Sequence, residues 1–528
     1  MIPRALSGVL LCVAVAAIAQ EKPLGGAPKF TEHLIADKYG YAYGLAAADL
    51  DGDGDLDLTS CDTRGHAFYW FENNGKGNFQ RHFIQQDEQG WFERHAVGDI
   101  NGDKLPDVVV VKNLHGHLVW FENSGQPAKD KQWKRHVIST DFKRAYDVAL
   151  VDLNGDGRLD VAGSAWNGNH IAWFANPGPA GAGQEWKKLM IDPQLAEART
   201  MRVADFNGDK KPDILSTGRL ANLTAWYEQP GAADQPWKRH VIDERSPQPV
   251  HGQPVDMDGD GDADVLMALG MLATEGQADT NQIVWYENVG KPGKGDVWKK
   301  HLIGALPFAF EAVAADLDGD RDLDIVATAW GGAGQIVWFE RTADPQAPWK
   351  QHVLKSKWPR ANQPIVADMD GDGRPDIIAT AEIGANELRW WRNAGVAPVE
   401  PKEENAFDTS QVTVQRIVRA AKLPQAKGEP GVVIVLHNPQ TFYIGGLYWV
   451  LWAGGKPYAE GACDLAKLDK QHAGENKTRC FTLSAAAWEK LPQGAPLFLT
   501  WGESAPQGDS LPLAKLDKKK IEDADKRR

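Results

Sequence analysis

Apolar and polar positions alternate in short runs along most of the chain, and between residues 30 and 393 the runs return in a fixed order. An aromatic-then-basic segment recurs as FTEHLI from Phe30, FQRHFI from Phe79, WKRHVI from Trp133, WKKLMI from Trp186, WKRHVI from Trp237, WKKHLI from Trp298 and WKQHVL from Trp349. Its period of two is that of a half-buried strand. After it come a run of small apolar residues (GLAAADL, EAVAADL), an Asp-rich loop, a second apolar run (PDVVVV, LDIVATA) and a run ending in aromatics (YWFEN, VWFEN, RWWRN). Four strands per unit, with the smallest residues on the strand nearest a crowded axis, describe a propeller blade.

The Asp-rich loops begin at Asp49, Asp99, Asp152, Asp205, Asp256, Asp316 and Asp368, with spacings of 50, 53, 53, 51, 60 and 52 residues. The prediction is an all-β chain built on a seven-bladed β-propeller. The Phe30 segment has no blade before it, and the last unit, ending near Asn393, has no such segment after it. The Phe30 strand should therefore complete the last blade, closing the ring and covering an open sheet edge.

The rest of the chain divides by composition. Residues 1–19 read as a secretory signal peptide, with Arg4, an apolar run too short to span a bilayer, and Ala17-Ile18-Ala19 as the cleavage site. The protein is expected outside the cytoplasm, periplasmic or extracellular, without a membrane span. Residues 394–405, rich in Pro and acid, read as a linker; 406–512 as a small β-sandwich-like domain with Cys463 and Cys480 as its disulfide; and 513–528 as a charged tail. An excess in the fifth unit, LGMLATEGQADTNQ, reads as a tolerated loop or a lid.

Each loop reads Asp-x-[Asp/Asn]-Gly-Asp-x-x-x-Asp, with side-chain oxygens at positions one, three, five and nine. Position one is the Asp named above. Position three is Asp51, Asn101, Asn154, Asn207, Asp258, Asp318 and Asp370; position five is Asp53, Asp103, Asp156, Asp209, Asp260, Asp320 and Asp372. Position nine is Asp57, Asp107, Asp160, Asp213, Asp264, Asp324 and Asp376. Alternate oxygens in a tight loop suit calcium, a hard cation that takes six to eight oxygen ligands, and like charges this close repel unless a cation lies among them. Up to seven structural calcium ions are expected. Seven divalent ions would offset the formal charge of −14, which removes the acidity as evidence for a basic partner, and the acidity itself argues against nucleic acid.

These loops and their period resemble the FG-GAP or VCBS repeats of secreted bacterial proteins and integrin α-subunit propellers. That resemblance implies that ions stiffen one face and that ligands meet the other. The repeated W-K-x-H and W-F-E-N strands also resemble the propeller of aldos-2-ulose dehydratase-type sugar-processing proteins.

On the rim opposite the loops the sequence collects aromatic, Arg, Asn and His residues that a repeat alone does not require. Aromatic faces beside paired donors and acceptors suit a saccharide, and a His base with an Arg anion stabiliser would suit β-elimination next to a carbonyl. The candidate catalytic residues are His95 and His251 as bases, Tyr146, and Arg94 and Arg199 as stabilisers, with room for a further divalent metal on that rim. The other reading is a non-catalytic module that binds a glycan or a protein. In either case the chain is expected to act as a monomer. His33, His82, His136, His240, His301 and His352 recur at one repeat position and read as packing elements.

Overall fold

A computed structural model describes residues 27–396 apart from positions 182, 233, 273–280, 291, 332 and 343–347, together with strand backbones between 413 and 513. The signal-like segment, the tail beyond residue 513 and most of the fifth-unit excess lie outside the described residues, as do the side chains of Cys463 and Cys480.

Seven four-stranded antiparallel sheets follow one another through the first unit. The innermost strands are Ala42–Ala48, Phe92–Gly98, Ala145–Val151, Arg202–Ala204, Pro249–Val255, Ala309–Ala315 and Ala361–Ala367. Each second strand begins at the position-nine Asp, as in Asp107–Lys112, and is buried along its whole length because blades flank it on both faces. The outermost strands carry the aromatic-basic segments and are mostly exposed or half-buried, as strands at the outer edge of a blade are.

The closure is as expected. Pro28–Ala36 pairs antiparallel with Glu387–Val396, Phe30 facing Asn393 and His33 facing Trp390, and becomes the fourth strand of the last blade. That last strand runs three residues past Asn393, into the segment read as linker.

The core is divided into layers between blades. Seven buried clusters each join one pair of neighbours. Trp120 and Val109 meet Phe174 and Ala172 at one junction, and Trp390 and Ile378 of the last blade meet Leu58 and Phe71 of the first. Burial at about 25 cal/mol per Å² is thus shared among junctions, and no blade has a core of its own.

The recurring histidines are packing elements. In five blades the imidazole lies flat on the blade's Trp, with centroids 4.0–4.6 Å apart (His82 on Trp70, His136 on Trp120, His240 on Trp226, His301 on Trp285, His352 on Trp338). In the same five, Nε2 lies 2.6–2.8 Å from the Glu of the W-[FY]-E run. The third blade has Leu189 and Ala175 at these two places, and the last has His33 with Arg392.

In the second unit, Thr413–Ala420, Gly431–His437 and Thr478–Ser484 form a three-stranded antiparallel sheet. Lys456–Cys463, Leu447–Ala453, Leu497–Trp501 and Ser510–Leu513 form a four-stranded one, in that order.

Candidate functional site: two faces of the ring

On the face of the Asp loops, position four is Gly in every blade, with φ between 70° and 84°. A Cβ at six of these glycines would meet nothing, so backbone conformation alone demands glycine. Position six is also left-handed in all seven, although only four are Gly; the rest are Lys104, Lys210 and Arg321.

Position nine is both a loop residue and a staple. Its Oδ2 accepts the N–H of position two at 2.9–3.1 Å, as Leu50 to Asp57. Its Oδ1 accepts the N–H of the residue ending the W-[FY]-E-N run, at 2.7–2.9 Å. That residue then donates from its own side chain to the position-two carbonyl of the preceding blade, at 2.6–3.0 Å. The donors are Asn73, Asn123, Asn176, Gln229, Asn288, Arg341 and Asn393. With Asn73 reaching Met369, the hydrogen bonds run right round the ring. The run-ending residue was not read as a staple from the sequence, although its recurrence was the available signal.

Positions one, three and five supply the carboxylates that could hold a cation. In loops one, five and six their carboxylate oxygens lie within 4.8 Å of one another: Asp49, Asp51 and Asp53; Asp256, Asp258 and Asp260; Asp316, Asp318 and Asp320. Loops two to four have Asn at position three. In loop seven the group is Asp368, Asp370 and Asp376, but Arg392 donates to Asp370 and Asp372, and Arg374 also reaches Asp372. All-oxygen donors fit a hard cation best where no guanidinium has already been recruited.

On the opposite rim, the residue entering each innermost strand is latched by its carbonyl to the N–H of the residue leaving the second strand. The seven pairs, at 2.9–3.1 Å, are Tyr41–Thr63, Trp91–Asn113, Arg144–Trp166, Glu197–Arg219, Gln248–Gly270, Phe308–Trp330 and Arg360–Glu382. Six of the entering residues (Trp91, Arg144, Glu197, Gln248, Phe308 and Arg360) hold φ of 46–60°, and none is Gly. Each such residue costs about 1–2 kcal/mol, and strain of this kind gathers at functional sites.

Below this rim the axis is plugged by side chains from blades that are not neighbours. Arg94 of blade two is paired through both terminal nitrogens with Glu311 of blade six, and Arg202 bonds Asp147 at 3.0 Å and Glu311 at 3.3 Å. Tyr43, Tyr146 and His251 form a chain: the two hydroxyls are 2.9 Å apart, and Tyr146 Oη is 3.1 Å from His251 Nε2. His251 Nδ1 lies 3.1 Å from Thr200 Oγ1.

The structure therefore brings together four of the candidate catalytic residues: His251, Tyr146, Arg94 and Arg199, whose guanidinium sits 4.4 Å over the Tyr146 ring. His95 stands apart, in the wall between blades one and two, 2.7 Å from Thr59 Oγ1 and packed on Phe68. All five are at most 9% exposed. Burial, reinforced by the charge of Arg94, pushes His251 well below its usual range and His95 down to about 3, so both are neutral. Glu93, Glu197 and Arg202 belong to this network and were missed in the sequence. The signal for Glu93 was an acidic residue at an innermost-strand position where the other blades have Tyr, Arg, Val, Phe and Asn. Burial raises Glu93 to about 8, with Arg199 pulling down and Glu382 pushing up, and raises Glu382 to about 7.

At the mouth two carboxylates organise the aromatics. Glu382 accepts from Tyr41 Oη at 2.6 Å, Trp330 Nε1 at 2.9 Å and Asn362 Nδ2 at 2.7 Å, while Arg360 lies 4.4 Å over the Trp330 ring. Glu197 pairs with Arg199 and Arg219, and Arg199 and Arg144 both lie over Trp166, at 5.4 and 5.8 Å. Trp91, Leu114, Leu220 and Leu272 remain 37–65% exposed.

A ring of seven four-stranded blades, acidic on one face and individually decorated on the other, defines a β-propeller of repeated Asp-loop units. The FG-GAP-like repeat model matches residues 49–110, 99–163, 152–216, 205–267 and 256–327, and the chain belongs to that family. These spans include the first six Asp loops. The chain is 25% identical over 251 residues to the T-cell immunomodulatory protein of Rattus norvegicus, a match that takes in 45% of this chain and 38% of that protein. Among solved structures it is similar to BBS1N, in crystals of BBS1N in complex with ARL6DN soaked with lead. That match has a TM-score of 0.42 and 12% identity over 70% of this chain and all of that one. A mercury-soaked crystal of the same complex gives a TM-score of 0.42 and 12% identity over 69% of this chain and 96% of that one. The repeat model bears out the FG-GAP resemblance, and the sugar-processing resemblance is unsupported. Among the described residues, no helix is long and apolar enough to cross a membrane.

Proposed function

We propose that this chain is an exported, non-catalytic binding propeller whose Asp loops take calcium to stiffen the ring and whose opposite rim docks a protein. The observation that carries the reading is the latched rim. One backbone position is held left-handed in six blades yet bears a different side chain in nearly every one, while the Asp-loop face repeats itself. A scaffold needs only the repeated face, and the individual one is where selectivity can reside. Exposed Trp91, Leu114, Leu220 and Leu272 leave apolar side chains uncovered on this rim, which also carries arginines, as a protein-docking surface does. The name of the rat relative, an immunomodulatory protein, accords with a protein partner.

Turnover of a sugar has less behind it. A base has to reach solvent and substrate, whereas His95 and His251 are buried, neutral and already hydrogen-bonded. A sugar ring stacks on an open aromatic face, and the faces of Trp166 and Trp330 are overlaid by guanidinium groups. In the calcium role, positions one, three and five of loops one, five and six would hold the ion, which would supply a rigid charge centre to the hairpin.

An array of extracellular proteins and a glycan array, probed in calcium with the wild type and a Trp91→Ser/Leu220→Ser variant, test the reading. Protein hits that vanish with the variant and a silent glycan array are expected. Glycan signals, or conversion of a sugar to an unsaturated product, would overturn it.

A further inference from the structure

The entering positions, the leaving positions and the residue after each leaving position make up the mouth of the rim. Its charges are sorted by depth. Glu197 and Glu382 are buried at 3% and 1% exposure and Arg219 at 9%, whereas Arg64 is exposed and Arg144 and Arg360 are half-buried. Every solvent-facing charge at the mouth is therefore positive, on a chain whose formal charge is −14.

Those three arginines share one construction. Arg64 lies 5.8 Å over the Tyr41 ring, Arg144 5.8 Å over Trp166, and Arg360 4.4 Å over Trp330. The rings are themselves fixed from beneath: Tyr41 and Trp330 both donate to Glu382, and Trp166 also lies under Arg199, which Glu197 holds. A guanidinium whose face is occupied by an aromatic keeps its N–H edge for an incoming group, and ordering it beforehand removes entropy that binding would otherwise cost. Arg144 gives one N–H to Asn113, and Arg360 stands 3.6 Å from Glu382. Neither Arg64 nor Arg144 has a carboxylate within ion-pair distance among the described residues.

We infer, building on the protein-docking reading, that the partner presents an acidic segment whose carboxylates fork onto Arg64, Arg144 and Arg360 around an apolar side chain that meets Trp91, Leu114 or Leu220. The exposed apolar residues favour a protein segment over an acidic glycan, which would have no use for leucines at the mouth.

The test is selection of a displayed random-peptide library on the calcium-loaded full chain, followed by binding of the selected peptides to an Arg64→Ala/Arg144→Ala/Arg360→Ala variant. An unchanged melting temperature shows that this variant is folded. Selected peptides should carry Asp or Glu beside Leu, Phe or another apolar residue, bind less well as salt rises, and lose at least about tenfold in affinity on the triple variant. Basic or uncharged peptides, acidic peptides that bind the triple variant as tightly, or displacement of the peptides by an oligogalacturonate of higher affinity would overturn the inference. Basic peptides that still depend on Trp91 and Leu220 would sink the acidic partner and leave the docking rim standing. Peptides indifferent to every rim substitution would sink both.

Discussion

At the scale of the residue, identity and environment part company on the axis. His95 and His251 drew attention because the other blades lack them, yet both are neutral and hydrogen-bonded, His251 in the axial plug and His95 in the wall between blades one and two. Their setting could not be read locally: Arg94 meets Glu311 across 217 residues of sequence, and Tyr146 meets His251 across 105. Glu93 gives the clearest pH signature. Its folded pKa of about 8 lies above its ordinary 4.5, so the folded state holds a proton that the unfolded chain has released between those values. The stability it contributes is full below about pH 4.5 and is lost as pH rises through about 8. Glu93→Gln cannot ionise, and its stability relative to wild type should improve by about 1.4 kcal/mol per pH unit across that window, measured by urea unfolding. A difference independent of pH would show Glu93 to be charged in the fold.

At the scale of the element, much was legible. Strand alternation, the seven Asp loops and the unpaired Phe30 segment are signals carried within a few residues of one another, and the sheets follow them. The staple was not, because Asn123 looks like an ordinary turn residue until its partner, the Leu50 carbonyl of the preceding blade, is in place. Asn123→Ala leaves that carbonyl and the Pro106 carbonyl short of a donor, and should cost about 1–3 kcal/mol in thermal or urea unfolding. Lys131→Ala, in an exposed bend of the same blade, should cost less than about 0.5 kcal/mol. The loops likewise look alike in sequence and differ in place. Arg392 stands where five blades have Glu and turns a guanidinium into loop seven. Native mass spectrometry during a calcium titration should therefore show three ions bound before any others, as loops one, five and six fill first. Arg392→Glu should raise the affinity of one late site more than about tenfold. An unchanged titration would mean that the arginine swings aside at no cost.

At the scale of the whole molecule, the ring is held by closure and by seven shared layers, so damage at one junction should propagate. Deleting residues 27–36 exposes the third strand of the last blade and removes the partner of Trp390 and Trp391. A chain shortened in this way should melt well below the intact one and self-associate through the bared edge, which light scattering would reveal. The broader claim is a division of labour, with metal and staple on one face and recognition on the other. It is tested most directly by the protein-array signal, in saturating calcium, of two variants whose folding has been verified: Trp91→Ser/Leu220→Ser on the rim and Asp258→Asn/Asp318→Asn in the loops. The account predicts that the rim variant loses the hits of the wild type and the loop variant keeps them. Hits that survive the rim changes and disappear with the loop changes would contradict it.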